Sequence, residues 1–307
     1  MKQIDLSIIV VSYNTLDFTS KCLDSIKKYT PNLNYEIIVV DNASSDGSVE
    51  YLSKLSRQSK NFKLVKSSEN IGFSAANNLG VKKVGGEFVL FLNSDTEFTA
   101  DILTEMVSYV KTHEKLAMLS CKLIGKDGKV QGNGGYFPTL ARVFSWMTIQ
   151  DFPLVDKLIK PFHPLKPKTG YANKGFFDKK QNLDWVTGAF ILTRKEILDN
   201  GVSWDKDYFM YTEDTDLCYQ VKKLGWEIEY NPKWSIKHYG GASSSTEYSI
   251  LSEYQSIKRF YKKHYSNWQM PILRIILKIG AMGRMVLFGI LEGKETFSIY
   301  AKAFKQA

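Results

Sequence analysis

Two clusters of oxygen-bearing side chains stand where apolar runs stop. Phe88 to Leu92 runs into Asn93-Ser94-Asp95, and Ile37 to Val40 runs into Asp41-Asn42-Ala43-Ser44-Ser45-Asp46-Gly47. Strands that end abruptly in carboxylates, in a chain alternating strand and helix, put those groups at the carboxyl ends of a parallel sheet, where open α/β folds bind ligands. A divalent cation such as Mg2+ takes only one or two protein carboxylates and completes its shell with water and phosphate oxygens. Asp95 meets that need, with Asn93 two residues before it and on the same side if the backbone is extended; the same residues also serve as plain turn chemistry after a strand. Asp41 can accept the N3–H of uracil or thymine and would repel cytosine, whose N3 is an acceptor, at a cost of about 1–3 kcal/mol. Its competing use is helix capping, for which Asn42, Ser44 and Asp46 are all suited, and Asp46 is assigned to capping alone. The two clusters predict a metal-assisted nucleotide site.

A third acidic position opens a helix. Glu213-Asp214 precedes the apolar stripe Leu217, Val221 and Leu224, closed by Gly225. At a helix start the dipole favours a carboxylate by about 0.3–1 kcal/mol. Such a group can take the proton of a hydroxyl as it attacks, although acidic residues at helix starts are also common without any chemistry. His238, in Lys237-His238-Tyr239-Gly240-Gly241, reads either as a satisfied polar residue or as part of a site in which the glycines let a phosphate approach the backbone.

The elements that must position these groups follow a β-then-α rhythm. Strands are expected at Ile8 to Val11, Ile37 to Val40, Phe62 to Val65 and Phe88 to Leu92. Helices are expected over Leu16 to Tyr29, Gly47 to Ser56, Ser74 to Val84 and Asp101 to Thr112. This predicts one mostly parallel sheet with helices on both faces. Neither a GxGxxG nor a P-loop follows the first strand, which argues against a dinucleotide dehydrogenase and a P-loop ATPase. Residues 125–182 hold Pro138, Pro153, Pro161, Pro164 and Pro167 with Lys157, Lys160, Lys166, Lys168 and Lys174 among aromatics, and are expected to shape the acceptor side. Regular structure resumes at Trp185 to Thr193, and a short strand at Glu227 to Tyr230 leads to His238.

With 307 residues and 44% apolar side chains the chain can bury a large core. Cys22, Cys121 and Cys218 form no CxxC pair, so they are read as core residues in a reducing compartment, without disulfides or cysteine-bound zinc. No signal peptide is read at the start. Of the net charge of +9, residues 251–307 carry +7, with ten Lys and Arg against three Glu. The domains are expected as a catalytic unit over 1–250, nucleotide-binding in 1–124 and acceptor-side in 125–250, and a basic amphipathic helical tail over 251–307. Within the tail, Arg274, Lys278 and Arg284 fall in an arc of roughly 120° on a helix from Trp268 to Leu291. Three charges disfavour a membrane span, and two alternatives remain: a helix lying on an anionic membrane surface, or one packed on the catalytic unit. The basic residues interleave with Ile, Leu and Met more than with stacking aromatics, which argues against a nucleic-acid partner.

Seven segments in sequence order resemble the inverting family 2 glycosyltransferases of the GT-A fold, in the rhamnosyltransferase-like branch that builds bacterial surface polysaccharides. They are Val10 to Asn14, Val40 to Ser48, Asn70 to Gly80, Phe91 to Asp95, Thr187 to Phe190, Glu213 to Leu217, and His238 to Gly241. By that resemblance Val11, Ser12, Tyr13, Asn14, Asp41 and Asn42 would hold the nucleoside, and Asn70, Gly72, Phe73 and Asn77 would lie along the ribose and diphosphate. Asp95, with Asn93 and His238, would carry Mg2+ or Mn2+, next to Ser94; the family motif commonly has two acidic residues, and Asn93 stands in place of the first. Asp214 would be the general base, Glu213 its support or an acceptor contact, and Gly188-Ala189 the floor beneath the donor sugar. The resemblance further implies a dTDP- or UDP-sugar donor, L-rhamnose first and a UDP-hexose or UDP-galactofuranose next. It also implies an acceptor on polyprenyl diphosphate and a peripheral place on the inner face of the cell membrane through residues 252–307.

Two rival readings make different demands on the sequence. A sugar-phosphate nucleotidyltransferase would need a Gly-rich basic loop after the first strand, and Ser12-Tyr13-Asn14-Thr15 offers none. A membrane-docked scaffold would bind sugar nucleotide without turning it over.

Overall fold

The computed structural model describes residues 3–150, 155–164, 175–240 and 246–307. Along the chain run β1 (Leu6–Ser12), α1 (Leu16–Tyr29), β2 (Tyr35–Asp41), α2 (Ser48–Gln58), β3 (Phe62–Lys66), α3 (Gly72–Val81), β4 (Phe88–Asn93), β5 (Thr96–Glu97), α4 (Leu103–Thr112) and β6 (Leu116–Ile124). Then follow the short helices α5 (Leu140–Phe144) and α6 (Val155–Leu158), β7 (Gln181–Asn182), β8 (Phe190–Arg194), α7 (Lys195–Asp199), α8 (Glu213–Lys223) and β9 (Glu227–His238). Three helices end the chain: α9 (Thr246–His264), α10 (Gln269–Glu292) and α11 (Lys294–Gln306). Contacts divide it into two compact units, one of Met1–Asn133, Phe177–Phe209 and Asp214–Ser243, the other of Gly134–Phe176, Met210–Glu213 and Ser244–Ala307.

The first unit is built on a mixed sheet in the order β3-β2-β1-β4-β8-β6-β9-β5, with β7 on β9. Strands β3, β2, β1 and β4 are parallel, as their apolar runs predict. Strand β8 runs against both β4 and β6. Chain order reverses at β1, whose neighbours are β2 and β4, and ligands of open α/β sheets gather at such a point beyond the carboxyl ends. Register levels those ends: Ser12 pairs with Asp41, and Val11 with Asn93. Ile8, Ile9 and Val10 of β1 and Val89, Leu90 and Phe91 of β4 are fully buried, so the strands are covered on both faces.

Three differences from the sequence expectations have physical causes. Leu116–Ile124, not foreseen as a strand, is the nine-residue β6; it is buried on both faces and so lacks the alternation that would mark it. Strand β9 continues past Tyr230 to His238, because a register shift between Asn231 and Ser235 accommodates Pro232, which has no N–H for the ladder. Leu224 is 53% exposed and stands outside the apolar stripe of α8, whose buried members are Leu217 and Val221. Of the lysine- and proline-rich segment, Pro153, Lys166, Pro167, Lys168 and Lys174 lie outside the described residues, as does Gly241.

In the second unit α10 packs Leu273, Ile276, Leu277, Gly280 and Ala281 inward. Arg284 also turns inward, its guanidinium over the Trp146 ring at 4.9 Å and donating to the Trp146 carbonyl at 3.0 Å. It therefore does not join Arg274 and Lys278 on a solvated basic strip, contrary to the single basic face expected. A second apolar face remains in solvent: Trp268, Ile272, Ile275, Ile279, Met282 and Val286 are each at least 40% exposed along one stripe. Among the described residues no helix is long and apolar enough to cross a membrane.

Candidate active site

The end of β2 carries Asp41 and leads into Asn42, the residues expected to hold the nucleoside. Asp41 is 1% exposed, and its Oδ1 accepts the Ser44 N–H at 3.0 Å while its Oδ2 is buried with no hydrogen-bond partner among the described residues. An unmet buried carboxylate oxygen is costly and calls for a donor from a ligand. Beside it, Asn42 donates to Asn70 Oδ1 at 2.9 Å and accepts the Ile71 N–H at 3.0 Å, clamping the loop that starts α3 to the end of β2. Gly72 has φ +81°, and a Cβ there would meet Phe209 Cδ2 at 2.9 Å and the Phe209 carbonyl at 3.0 Å, so only glycine fits. Asn77 donates to the Phe73 carbonyl at 3.0 Å inside α3, and Phe73 packs edge-on to Trp204.

Strand β1 ends in a buried hydroxyl cluster. Ser12 Oγ lies 3.0 Å from Thr19 Oγ1, and Thr15 Oγ1 lies 3.1 Å from Ser94 Oγ. Tyr13 is exposed, and Asn14 takes a left-handed φ of 52° while its Oδ1 accepts the Ser45 N–H at 2.7 Å. Asp46 accepts the Leu16 N–H at 2.9 Å and the Ser48 N–H at 3.1 Å, tying the starts of α1 and α2, which is the capping role expected of it.

Asn93 closes β4, and Ser94-Asp95 forms the turn into β5. The backbone there is not extended, so the argument that placed Asn93 and Asp95 on one face does not apply. Pairing of Thr96 with His238 brings the end of β9 to this turn instead. Asp95 Oδ1 lies 3.4 Å from His238 Nε2, and Asp95 Oδ2 accepts the Gly240 N–H at 3.0 Å. Among the described residues there is no group of three or more His, Cys, Asp and Glu that could hold a metal. One carboxylate oxygen and one imidazole nitrogen converging on a gap nevertheless fit a cation that draws its other ligands from water and phosphate. Close by, Cys22 is buried, and burial pushes its thiol up to about 12, so it stays protonated.

At the start of α8, Asp214 Oδ1 accepts the Thr215 N–H at 2.7 Å, and its Oδ2 accepts the Gly188 N–H at 3.2 Å. Gly188 is tight: a Cβ would come within 3.1 Å of Phe73 and 3.3 Å of Trp204. Ala189 is 3% exposed and its carbonyl accepts the Asn93 N–H at 3.1 Å, so the Gly188-Ala189 segment lies beside the end of β4. Tyr211 and Thr212, just ahead of Glu213, have φ of 70° and 67°. Among the described residues the non-glycine positions with positive φ are Asn14, Ala43, Tyr211 and Thr212, each within two residues of a predicted site residue. Such strain costs of order 1–3 kcal/mol and collects at functional sites. Sequence reasoning had no sign of it, nor of Gln131, which contacts His238.

Residues 7–200 match the profile of "Glycosyl transferase family 2". The chain belongs to that family. Among relatives, an N-acetylglucosaminyl-diphospho-decaprenol L-rhamnosyltransferase of Mycobacterium tuberculosis is 21% identical over 287 residues, covering 89% of each chain. The rhamnosyltransferase WbbL of Escherichia coli is 26% identical over 239 residues, covering 76% of this chain and 82% of its own. The fold is shared with the mannosyltransferase PcManGT of Pyrobaculum calidifontis, solved with GDP-Man and Mn2+, at TM-score 0.56 and 14% identity over 99% of this chain and 74% of that one. It is shared as well with GalNAc-T7, solved with UDP, GalNAc and Mn2+, at TM-score 0.64 and 14% identity over 99% of this chain and 56% of the other. The protein is thus a family 2 glycosyltransferase with a GT-A fold, and its tail helices extend past the residues matched to the family.

Proposed function

We propose that this glycosyltransferase moves a sugar from a thymidine or uridine diphosphate donor, with dTDP-L-rhamnose as first choice, to a saccharide acceptor on polyprenyl diphosphate, inverting the anomeric centre. The observation that carries the donor class is the buried, unpartnered Oδ2 of Asp41, level with Ser12 at the sheet's switch point. It suits the N3–H of thymine or uracil and repels cytosine. The M. tuberculosis relative, named for a decaprenyl-diphosphate acceptor and an L-rhamnosyl product, supports the choice of sugar and of lipid carrier.

In this mechanism Asp214 takes the proton of the acceptor hydroxyl as its oxygen attacks the anomeric carbon from the face opposite the diphosphate. The bond to the diphosphate oxygen breaks in the same step, and the configuration inverts. The hydrogen bonds from Gly188 and Thr215 hold the Asp214 carboxylate in place for that transfer. Asp95 Oδ1 and His238 Nε2 would hold Mg2+ or Mn2+, which supplies charge neutralisation for the leaving diphosphate. Glu213 borders the acceptor, and the Gly188-Ala189 backbone forms the floor beneath the donor sugar, with Phe73 and Trp204 packed against Gly188.

Thermal stabilisation by dTDP, UDP, CDP and GDP, each with and without Mn2+, tests the donor site, since ligand at 100 times its dissociation constant adds about 2.7 kcal/mol. A Mn2+-dependent shift with dTDP or UDP alone is expected; an equal shift with CDP would sink the role of Asp41. Asp214→Asn is expected to lower transfer by roughly 10²–10⁴ with donor binding retained; unchanged transfer would remove Asp214 as the base, and biological activity that survives the loss of transfer favours the scaffold reading.

The same proposal places the enzyme on the inner leaflet through residues 252–307. The exposed stripe of α10, from Trp268 to Val286, would enter the headgroup boundary with Arg274 and Lys278 beside it. A second copy would set those cations against their own kind, while anionic lipid gains on the order of 1 kcal/mol per basic residue. Co-sedimentation with phosphatidylglycerol vesicles, lost in Ile275→Glu/Ile279→Glu, is the expected result. Loss of a dimer in that variant, with vesicle binding intact, would overturn it.

A further inference from the structure

His238 has two ring nitrogens with different neighbours, and a glutamine decides which one carries the proton. After β6 the chain turns back on itself: Gly125 N–H donates to the Lys129 carbonyl at 2.8 Å, and Gln131 N–H to the Leu123 carbonyl at 2.9 Å. This hairpin sets the Gln131 side chain against the end of β9, where it makes two contacts with one residue. Its Nε2 donates to the His238 carbonyl at 3.0 Å, and its Oε1 lies 2.6 Å from His238 Nδ1. A backbone carbonyl can only accept, so the amide orientation is fixed by the first contact, and the oxygen must be the atom that faces Nδ1. An amide oxygen can only accept as well. Nδ1 therefore bears the proton, and in the neutral ring Nε2 keeps its lone pair. That lone pair points to Asp95 Oδ1, also an acceptor, at 3.4 Å. The other Asp95 oxygen is taken by Gly240 N–H, so the carboxylate cannot turn away without losing that bond.

The geometry points to Gln131 as a positioning residue that locks His238 in the Nδ1–H tautomer, so that Nε2 and Asp95 Oδ1 present a matched nitrogen and oxygen donor pair to a divalent cation. The inference rests on the reading of Asp95 and His238 as the metal pair. Without the Gln131 oxygen the imidazole is free to move its proton to Nε2, where it would hydrogen-bond Asp95 directly and close the gap. Partners of this kind, one bond removed from the metal, commonly change metal affinity by roughly 10–100-fold.

Two measurements test it. On the metal-free full chain, long-range proton–nitrogen correlation of the imidazoles, assigned with His238→Ala, is expected to show His238 protonated at Nδ1, and Gln131→Leu is expected to shift the proton toward Nε2. A wild-type ring protonated at Nε2 would overturn the inference without any variant being needed. Mn2+ titrated alone and followed by the resonance of the free ion is expected to bind roughly 10–100-fold more weakly to Gln131→Leu. Gln131→Glu, whose carboxylate still accepts from Nδ1, is expected to restore most of the affinity. Loss of Mn2+ binding in His238→Ala but not in Gln131→Leu would reject the role of Gln131 alone. Unaltered binding in His238→Ala would reject the metal pair itself, and the inference with it.

Discussion

Strand β2 carries two buried carboxylates, Glu36 near its start and Asp41 at its end, each 1% exposed, and they are treated in opposite ways by their surroundings. Glu36 is saturated: it accepts from Ser7 Oγ at 2.7 Å and from the Gly85 N–H at 2.7 Å, and Lys63 Nζ stands 2.5 Å from its second oxygen. Asp41 keeps one oxygen without a partner among the described residues. Burying a carboxylate is tolerable when every lone pair is met, so Glu36 is a joint that ties the start of β1 and the approach to β4 to β2. Asp41 bears the same desolvation without the return, a cost that a bound donor would relieve. One strand thus carries a carboxylate met on both oxygens near its start and one with an unmet oxygen at its end, where the proposed function places the nucleotide base.

The largest effect that follows is on stability. Glu36→Ala leaves the Gly85 N–H and the Ser7 hydroxyl without their carboxylate, each worth about 1–3 kcal/mol, so a total loss of about 2–6 kcal/mol is expected in denaturant unfolding. Nucleotide affinity of the folded fraction should be untouched. A Glu36→Ala protein as stable as wild type would break the comparison at its structural end.

Asp41→Asn should do the reverse. The amide oxygen retains the Ser44 bond, the unmet oxygen becomes an NH2 group, and a buried charge disappears, so stability should hold or rise. Uridine or thymidine diphosphate should bind more weakly by about 1–3 kcal/mol, and the bar against cytidine diphosphate should fall, because an amide N–H can donate to cytosine N3. Calorimetric titration of the two nucleotides against both proteins reads this directly. A variant with unchanged preference would mean that the unmet oxygen of Asp41 faces something other than a base.

How far this was legible in the sequence depends on whether a signal is local. Helix α1 matches its expected bounds from Leu16 to Tyr29, and the parallel strands grow by at most two residues at either end. Their apolar runs are written within a few residues. Asp41 and Asp95 stand out because an apolar run stops at the first and two residues before Asp95, at Asn93. What escaped was written at long range: the proton of His238 depends on Gln131, 107 residues away, and the inward turn of Arg284 depends on Trp146. A helical wheel shows which residues share a face, but not which face the rest of the chain will cover. For this reason the arc of Arg274, Lys278 and Arg284 was right as geometry and misleading as a surface.

The smallest effect tests the comparison at its most exposed member. Asp46 lies a few residues beyond Asp41, on the site side of the sheet, yet its hydrogen bonds are made, from Leu16 N–H, Ser48 N–H and Ser48 Oγ. If satisfaction rather than location marks a structural carboxylate, Asp46→Ala should cost about 0.5–2 kcal/mol, as other lost caps do, and leave nucleotide affinity within error. Partial burial acts to raise its pKa, but the bonds from Ser48 and Leu16 outweigh it and hold the carboxyl below its ordinary 3.8. A lowered folded value means the carboxylate stabilises the protein above the unfolded pKa and loses that contribution as the pH falls through the folded one. The stability gap between wild type and Asp46→Ala should therefore be constant from neutral pH down to about 5 and close only below about 4. A gap that closed between pH 6 and 8 would assign the effect to another group, and a fall in nucleotide affinity in Asp46→Ala would show that position at the strand ends, rather than an unmet bond, is what makes a carboxylate functional here.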